Sequence, residues 1–251
     1  MTSIDSPARR YDAIYSSFKD YPKEAGAIAT LLRREHPTCR SILDVGCGTG
    51  KHLELLVRAH RFEVDGLDLE PSFLEMARSR GDTSRFFRAD MEDFQLPHRY
   101  DAILCLFSSI GYMRTPERLC RALACFRSHV AADGVILIEP WFQPGVLDPT
   151  RETRQVAELE GVRIERLSRL EIVGSLSRIH FDYSIEDGDG RRVAHEVHEL
   201  GLFTEEEMRS AFASVGLKVT YDPYGIDGRG LYIARLAGAP SEPQADHEMG
   251  G

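Results

Sequence analysis

The order of apolar and polar residues divides the chain into two regimes. Residues 24–35 (EAGAIATLLRRE) carry apolar positions at helical spacing and Pro37 follows them, which predicts a helix. Residues 41–45 (SILDV) read as a strand running into GCGTG, with a helix expected over 51–60. A strand at 63–68 (EVDGLD), a helix at 71–80 with Pro71 in its first turn, and a short strand at 85–90 (RFFRAD) continue the alternation. Residues 101–107 (DAILCLF) form a continuous apolar run of the kind buried on both faces of a sheet. A helix over 115–129 enters through TPE, and 134–139 (GVILIE) is a fifth strand. Strands alternating with helices predict βαβ units and a parallel sheet. The first 22 residues read instead as a polar segment with scattered aromatics, Tyr11, Tyr15, Phe18 and Tyr21.

The second regime starts after Trp141. Residues 153–204 alternate at period two through VRIERLSRLEIVG, SLSRIHFDYSIEDG and RRVAHEVHELGLFT, separated by Gly-Ser and Asp-Gly-Asp-Gly turns. This predicts an antiparallel meander of three or four strands inserted into the α/β unit. A helix over 204–215 (TEEEMRSAFASV) and strands at 217–221 and 230–236 (GLYIARL) then close the fold. The expected organisation is an N-terminal lid segment and ligand-binding α/β core at 1–142, a β insertion at 143–203, and a closing α/β segment at 204–237. The tail 238–251 (GAPSEPQADHEMGG) has the composition of a disordered segment.

Composition narrows the function classes. In 251 residues, 40 Asp+Glu stand against 31 Lys+Arg, a formal charge of −9, so the basic footprint of a general nucleic-acid binder is missing. No apolar run approaches the ~18–20 residues of a membrane span, and MTSIDSPARRYD lacks the basic-then-apolar pattern of a signal peptide. Cys39, Cys47, Cys105, Cys120 and Cys125 form no CxxC pair or Cys/His cluster, so reduced thiols in a cytoplasmic protein and no metal site are expected. Of the basic residues, 27 are Arg and 4 are Lys. That bias reflects either a need for planar cations facing carboxylate or phosphate or GC-rich coding.

The sharpest local feature is Asp44-Val-Gly46-Cys-Gly48-Thr-Gly50 at the end of the first strand. Glycines there allow a sharp turn and let a ligand lie against main chain. Asp68 ends the second strand 18 residues past Gly50, where a carboxylate can accept both hydroxyls of a ribose. The dinucleotide fingerprint is GxGxxG, whereas here the spacing is GxGxG and Lys51 takes the place of the final glycine. The acid preceding the first glycine favours a cationic or amine-bearing ligand over pyrophosphate, and S-adenosylmethionine (SAM) is such a ligand. A tight strand–helix turn without a ligand is the plainer alternative.

DVGCGTG, Asp68, the run Ala89-Asp90-Met91 and the strand 101–107 together resemble the class I SAM-dependent methyltransferases. The resemblance implies a Rossmann-like fold with a seven-stranded mixed sheet flanked by helices. It also implies cofactor contacts at Gly46, Gly48, Gly50, Asp68, Leu69, Asp90, Met91 and Leu106, with Asp44 and the Tyr21 hydroxyl beside them. A narrower resemblance rests on YDAIY and KDYPKEA, LFSSIGYM at 106–113, EPWF at 139–142, RIHFDY at 178–183 and GRGLY at 228–232. These are similar, in order, to the N,N-dimethyltransferases that act on dTDP-linked deoxyamino sugars in antibiotic pathways. Three departures stand out: a slightly shorter N-terminal segment, Gly46 where some members have alanine, and a longer tail.

Transfer of a methyl from SAM to an amine is an in-line displacement that needs a neutral nitrogen ~3 Å from the methyl and a dry site. The resemblance implies a nucleotide-linked amino sugar as small-molecule partner, and Arg178 and Arg229 are the expected contacts to its diphosphate, each alternatively an ordinary surface arginine. Arg178 and His180 share one face of their strand, and His180, Tyr11 and Glu139 are the candidates for orienting the amine or taking its proton. Tyr11, Tyr15, Ser108, Ser109, Tyr112 and Trp141 are expected to line the sugar site, each alternatively serving as packing or a turn cap. A methyltransferase for another amine or a hydroxyl, and a non-catalytic SAM- or NAD-binding protein, stay open. The meander offers pairing faces for a homodimer.

Overall fold

Two sheets carry the strands of the chain, for which a computed structural model describes residues 6–81 and 84–238. Residues 239–251 of the expected tail lie outside the described residues. The larger sheet takes β1 (Ser41–Val45), β2 (Glu63–Asp68), β3 (Phe86–Arg88), β4 (Tyr100–Cys105), β5 (Val130–Ile138), β10 (Leu217–Asp222) and β11 (Leu231–Leu236). Their spatial order is β10-β11-β5-β4-β1-β2-β3. β11 runs antiparallel to both its neighbours, and the other pairs are parallel. Chain order reverses between β1 and β4, and in open α/β sheets the crevice at such a reversal is where ligands bind.

Alternate residues of the central strands face opposite layers, which explains their near-continuous apolar character. Leu43, Val45, Ile103, Cys105, Ile136 and Ile138 pack towards helices α5 (Pro116–His129) and α6 (Glu205–Ser214). Ile42, Val64, Ala102, Leu104, Val135 and Leu137 pack towards α2 (Tyr21–Glu35) and α3 (Lys51–Arg58). Fully buried Phe126 and Phe212 each contribute about 1.5–3 kcal/mol of apolar burial. Local signals set the helix starts. Asp20 caps α2 through Lys23 N at 3.0 Å, Thr115 caps α5, and Thr204 with Glu207 forms a reciprocal capping box on α6.

The second sheet is a four-stranded antiparallel meander of β6 (Thr153–Leu159), β7 (Val162–Val173), β8 (Leu176–Asp187) and β9 (Gly190–Gly201). Ser177, Phe181 and Tyr183 of β8 and Glu196 and His198 of β9 share its inner face, as alternation requires. Trp141, just past β5, donates from Nε1 to Ser177 Oγ at 2.8 Å and so fastens the meander to the larger sheet.

The main departure from the sequence pattern is a helix, α1 (Pro7–Ser16), within the polar N-terminal segment. Its apolar face is small, Ala8, Ala13 and Ile14, but it is completed by Ala157, Ile164, Tyr183 and Ile185 of the meander. Helices gain most of their stability from such tertiary packing. β5 also begins earlier than its apolar run, at Val130, and the strand expected at 85–90 is paired only over Phe86–Arg88. Between α3 and β3, α4 (Pro71–Ser79) completes the set. No described helix is long and apolar enough to cross a membrane.

Candidate active site

The glycine loop leaves β1 at the reversal point. Gly46 adopts φ +74°, and a Cβ there would lie 2.8 Å from both Cβ and Oγ of Ser109, so the loop closes directly on the turn after β4. Gly50 (φ +76°) faces α4, where a Cβ would meet that of Ala77 at 2.9 Å. Its smallness therefore serves helix packing. The opening beside the loop is a cleft of about 420 Å³, mouth included, lined among others by Tyr11, Tyr21, Asp44, Gly46, Gly48, Leu106, Phe107 and Ser109.

Two carboxylates end the strands under this cleft. Asp68 accepts from Gly48 N at 2.8 Å and from Glu70 N at 2.9 Å, yet burial raises its carboxyl above the ordinary value. Burial, and then Asp68, push Asp44 up to about 7. The nearest charge named for Asp44 is the like charge of Asp68, and Asp68 is met by main-chain N–H groups. A cation placed here would relieve both, so the donor set fits a sulfonium cofactor with a ribose and not a pyrophosphate. Met91 lies 3.8 Å from a Cβ built on Gly46, beside the loop. Leu69, 59% exposed, offers an apolar surface next to Asp68. Asp90 accepts from Glu92 N and stands 3.8 Å from Arg118. Burial raises the Cys47 thiol well above its ordinary value, which disfavours a nucleophilic thiolate in the loop.

Helix α1 forms the near wall. The Tyr11 ring packs at a tilt against Tyr15, centroids 4.3 Å apart, and approaches Phe73, while Tyr15 meets Phe107 edge-on at 5.1 Å. Between them, Asp12 accepts from Thr49 Oγ1 of the glycine loop at 2.5 Å and from Arg80 Nη2 at 2.8 Å. Asp12, Thr49 and Arg80 were not marked by sequence. YDAIY pointed to the tyrosines, and the partners of its acid lie 37 and 68 residues away.

Beyond Phe107 lies a cluster of aromatic and charged side chains from the turn after β4, the meander and the loop before β11. Phe107 and Ser108 have positive φ (51° and 63°), a strained turn of the kind found at functional sites. Ser108 donates to Pro140 O, and Ser109 to Met113 form a 3₁₀ turn ending in Tyr112 and Met113. Tyr112 is 42% exposed at the end of this turn. Its hydroxyl bonds His198 Nδ1 at 2.7 Å. On the inner face of β7, Arg166 is 4% exposed and lies between the rings of Tyr15 (4.8 Å) and Phe181 (4.3 Å). Its Nη1 and the neighbouring Ser168 Oγ have no hydrogen-bond partner. Arg229 lies over the Phe107 ring at 4.7 Å, is held by Asp227, and stands 3.7 Å from Glu139. Buried Glu139 accepts from Phe107 N at 2.5 Å. Burial raises its carboxyl, whereas bonds from Arg229 and Glu139 hold Asp227 low against its own burial.

His180 and Arg178 do not join this constellation. They share a face, as expected, but it is the one opposite Ser177, Phe181 and Tyr183 and is turned away from the cleft. There Arg178 is neutralised by Glu171 (3.0 Å) and Glu199 (2.9 Å), and His180 stands 3.7 Å from Glu171. One strand over, Arg166 is a buried cation on the inner face.

The larger sheet, the glycine loop at its reversal point and the paired carboxylates define a class I SAM-dependent methyltransferase. Residues 42–134 match the family described as "Methyltransferase domain". The chain is 38% identical over 238 residues to dTDP-3-amino-3,6-dideoxy-alpha-D-glucopyranose N,N-dimethyltransferase of Streptomyces fradiae, covering 94% of this chain and 92% of the relative. It is similar in structure to DesVI of Streptomyces venezuelae, with a TM-score of 0.87 and 36% identity over 92% of this chain and 99% of DesVI. SAM-bound CalS10, an amino pentose methyltransferase from Micromonospora echinaspora, gives a TM-score of 0.80 at 35% identity, covering 89% of this chain and 95% of CalS10. The chain belongs to the family of dTDP-amino-sugar N,N-dimethyltransferases.

Proposed function

We propose that the protein transfers two methyl groups in turn from SAM to the amino group of a dTDP-linked amino sugar. The observation that carries this reading is buried Arg166 beside the cofactor cleft, held between the rings of Tyr15 and Phe181 with one guanidinium nitrogen unpartnered, in a protein of net charge −9. A buried cation whose partners are only the neutral Gln155 amide, at 3.4 Å, and two aromatic rings is costly, and an anionic ligand such as a nucleotide diphosphate offsets it. The relatives' names supply the sugar and the amine.

Asp68 and the Gly48 main chain would hold the cofactor's ribose, Asp44 would face its positive charge, and Tyr11 and Tyr21 would cover it. Bound there, SAM supplies a methyl on a sulfonium. Tyr11, Tyr15 and Phe107 exclude water and narrow the approach of the acceptor nitrogen. Arg166 takes the diphosphate. Arg229, already neutralised by Asp227, supports the Phe107 turn. Trp141 and Ser109 line the sugar side.

A homodimer joined through the outer face of the meander, where Val156, Val193 and Val197 are exposed, belongs to the same proposal. Five free cysteines support a reducing, cytoplasmic setting.

The test is a methyl-label assay with paired acceptors. A dTDP-amino sugar should take label from SAM, and the same sugar with hydroxyl in place of the amine should not. Labelling of the hydroxyl sugar alone would replace N- by O-methylation.

A further inference from the structure

Behind the Tyr112 hydroxyl lies a chain of polar groups that neither cofactor binding nor the diphosphate explains. Tyr112 bonds His198 Nδ1 at 2.7 Å, and His198 Nε2 stands 3.5 Å from Glu196 Oε2. Glu196 is fixed from two further elements. Arg10 of α1 donates to its Oε1 at 2.6 Å, and Tyr183 of β8 donates to its Oε2 at 3.3 Å. The carboxylate of Glu196 can only accept, so it selects the Nε2–H tautomer of His198 and leaves Nδ1 to accept from Tyr112. Phe181 packs against the imidazole at 5.0 Å. The groups facing His198 are therefore Tyr112, Glu196, Arg10 and Tyr183, with one carboxylate beside the ring.

We propose that His198, acting through Tyr112 and positioned by Glu196, carries away the proton that the first methyl transfer leaves on the amine. The inference rests on the amine-acceptor reading above. In the first transfer the nitrogen lone pair forms the N–C bond, and the electron pair of the broken C–S bond stays on sulfur. The nitrogen then carries a positive charge and two protons, and has no lone pair for a second methyl. One proton passes to the Tyr112 oxygen as the tyrosine's own proton moves to His198 Nδ1. The imidazolium is paired with Glu196, and its side chain is 30% exposed, so it releases the Nδ1 proton to water while Glu196 keeps the Nε2 proton in place, and the starting tautomer returns. The neutral monomethylamine is then ready for a fresh cofactor. Tyr112 is the group that touches the substrate; His198 and Glu196 are positioning residues.

The test follows the products of His198→Gln, Tyr112→Phe and the double variant by mass, on a dTDP-amino sugar accepted by the wild type. Monomethyl product should accumulate in each single variant, with the second transfer slowed at least ~tenfold near neutral pH, within the range of general acid–base effects. The deficit should shrink as pH rises and solvent takes the proton. The double variant should be no slower than the worse single one, because the two act as one unit. Calorimetry should give wild-type SAM affinity in each. Tyr112→Phe, which deletes one oxygen, decides the matter should His198→Gln lose SAM binding. Wild-type product ratios and an unchanged pH profile in the variants overturn the relay while leaving the amine reading intact. A wild type that methylates no amine overturns both.

Discussion

The Thr49 hydroxyl donates to Asp12 Oδ1 at 2.5 Å, and this bond joins the first helix to the glycine loop. The same carboxylate takes Arg80 Nη2, whose side chain also reaches Thr49 O and Glu54. The helix otherwise packs its apolar face on the meander. Asp12 thus couples the wall that carries Tyr11 and Tyr15 to the cofactor floor. Asp12→Asn should weaken SAM binding about tenfold, the scale of one charge-assisted hydrogen bond. Thr49→Val should cost less in the Asn background than alone, as expected for residues in contact. Calorimetric SAM titrations of the four proteins measure this.

Gly46→Ala introduces a side chain at φ +74° and a contact of 2.8 Å with Ser109. The backbone alone costs about 1–2 kcal/mol, so the variant should unfold several degrees lower and bind SAM poorly. Ser109→Gly removes the atoms that clash and should restore part of the loss. Alanine at this position in other family members therefore implies a different residue or spacing in the turn opposite. Thermal unfolding of the single and double variants checks the prediction.

Asp44 gives a pH dependence with a definite sign. Its folded value of about 7 lies above the ~3.9 of an unfolded aspartate, so the free folded protein holds a proton that the unfolded chain releases. Stability from this group is present below about pH 4 and is lost as pH rises towards 7. A bound cation favours the ionised form. SAM affinity should therefore rise with pH, by at most about tenfold per unit, and level off above about pH 7. In Asp44→Asn the slope should vanish, which titrations on either side of neutrality would show.

Arg166 and Arg178 should separate cleanly. Arg166→Met should raise the KM for a nucleotide sugar about 10–100-fold, the scale of a lost charge-assisted contact, with SAM affinity unchanged. Arg178→Ala removes an exposed cation held by Glu171 and Glu199 and should change turnover less than about twofold. Steady-state kinetics with each substrate varied distinguishes the two.

Why some of this was readable in the sequence and some was not has physical causes. DAILCLF and GVILIE announce strands because both their faces are buried, and the glycine spacing with Asp44 and Asp68 is a local code. Helix α1 is hidden because its apolar face is only Ala8, Ala13 and Ile14, and its burial comes from strands some 150 residues later. In β8 both faces mix polar and apolar residues. Alternation therefore pairs Arg178 with His180 without saying which face points inward, and the Trp141–Ser177 bond shows it to be the other one. His198 meets Tyr112 across 86 residues, a pairing with no local trace.

The most direct test of dimethylation is a mass-resolved time course of SAM with dTDP sugars bearing the amine at C3 or at C4. One of them should gain first one and then two methyl groups, with two equivalents of SAM consumed. A product that stops at one methyl, or methylation only at oxygen, would contradict it.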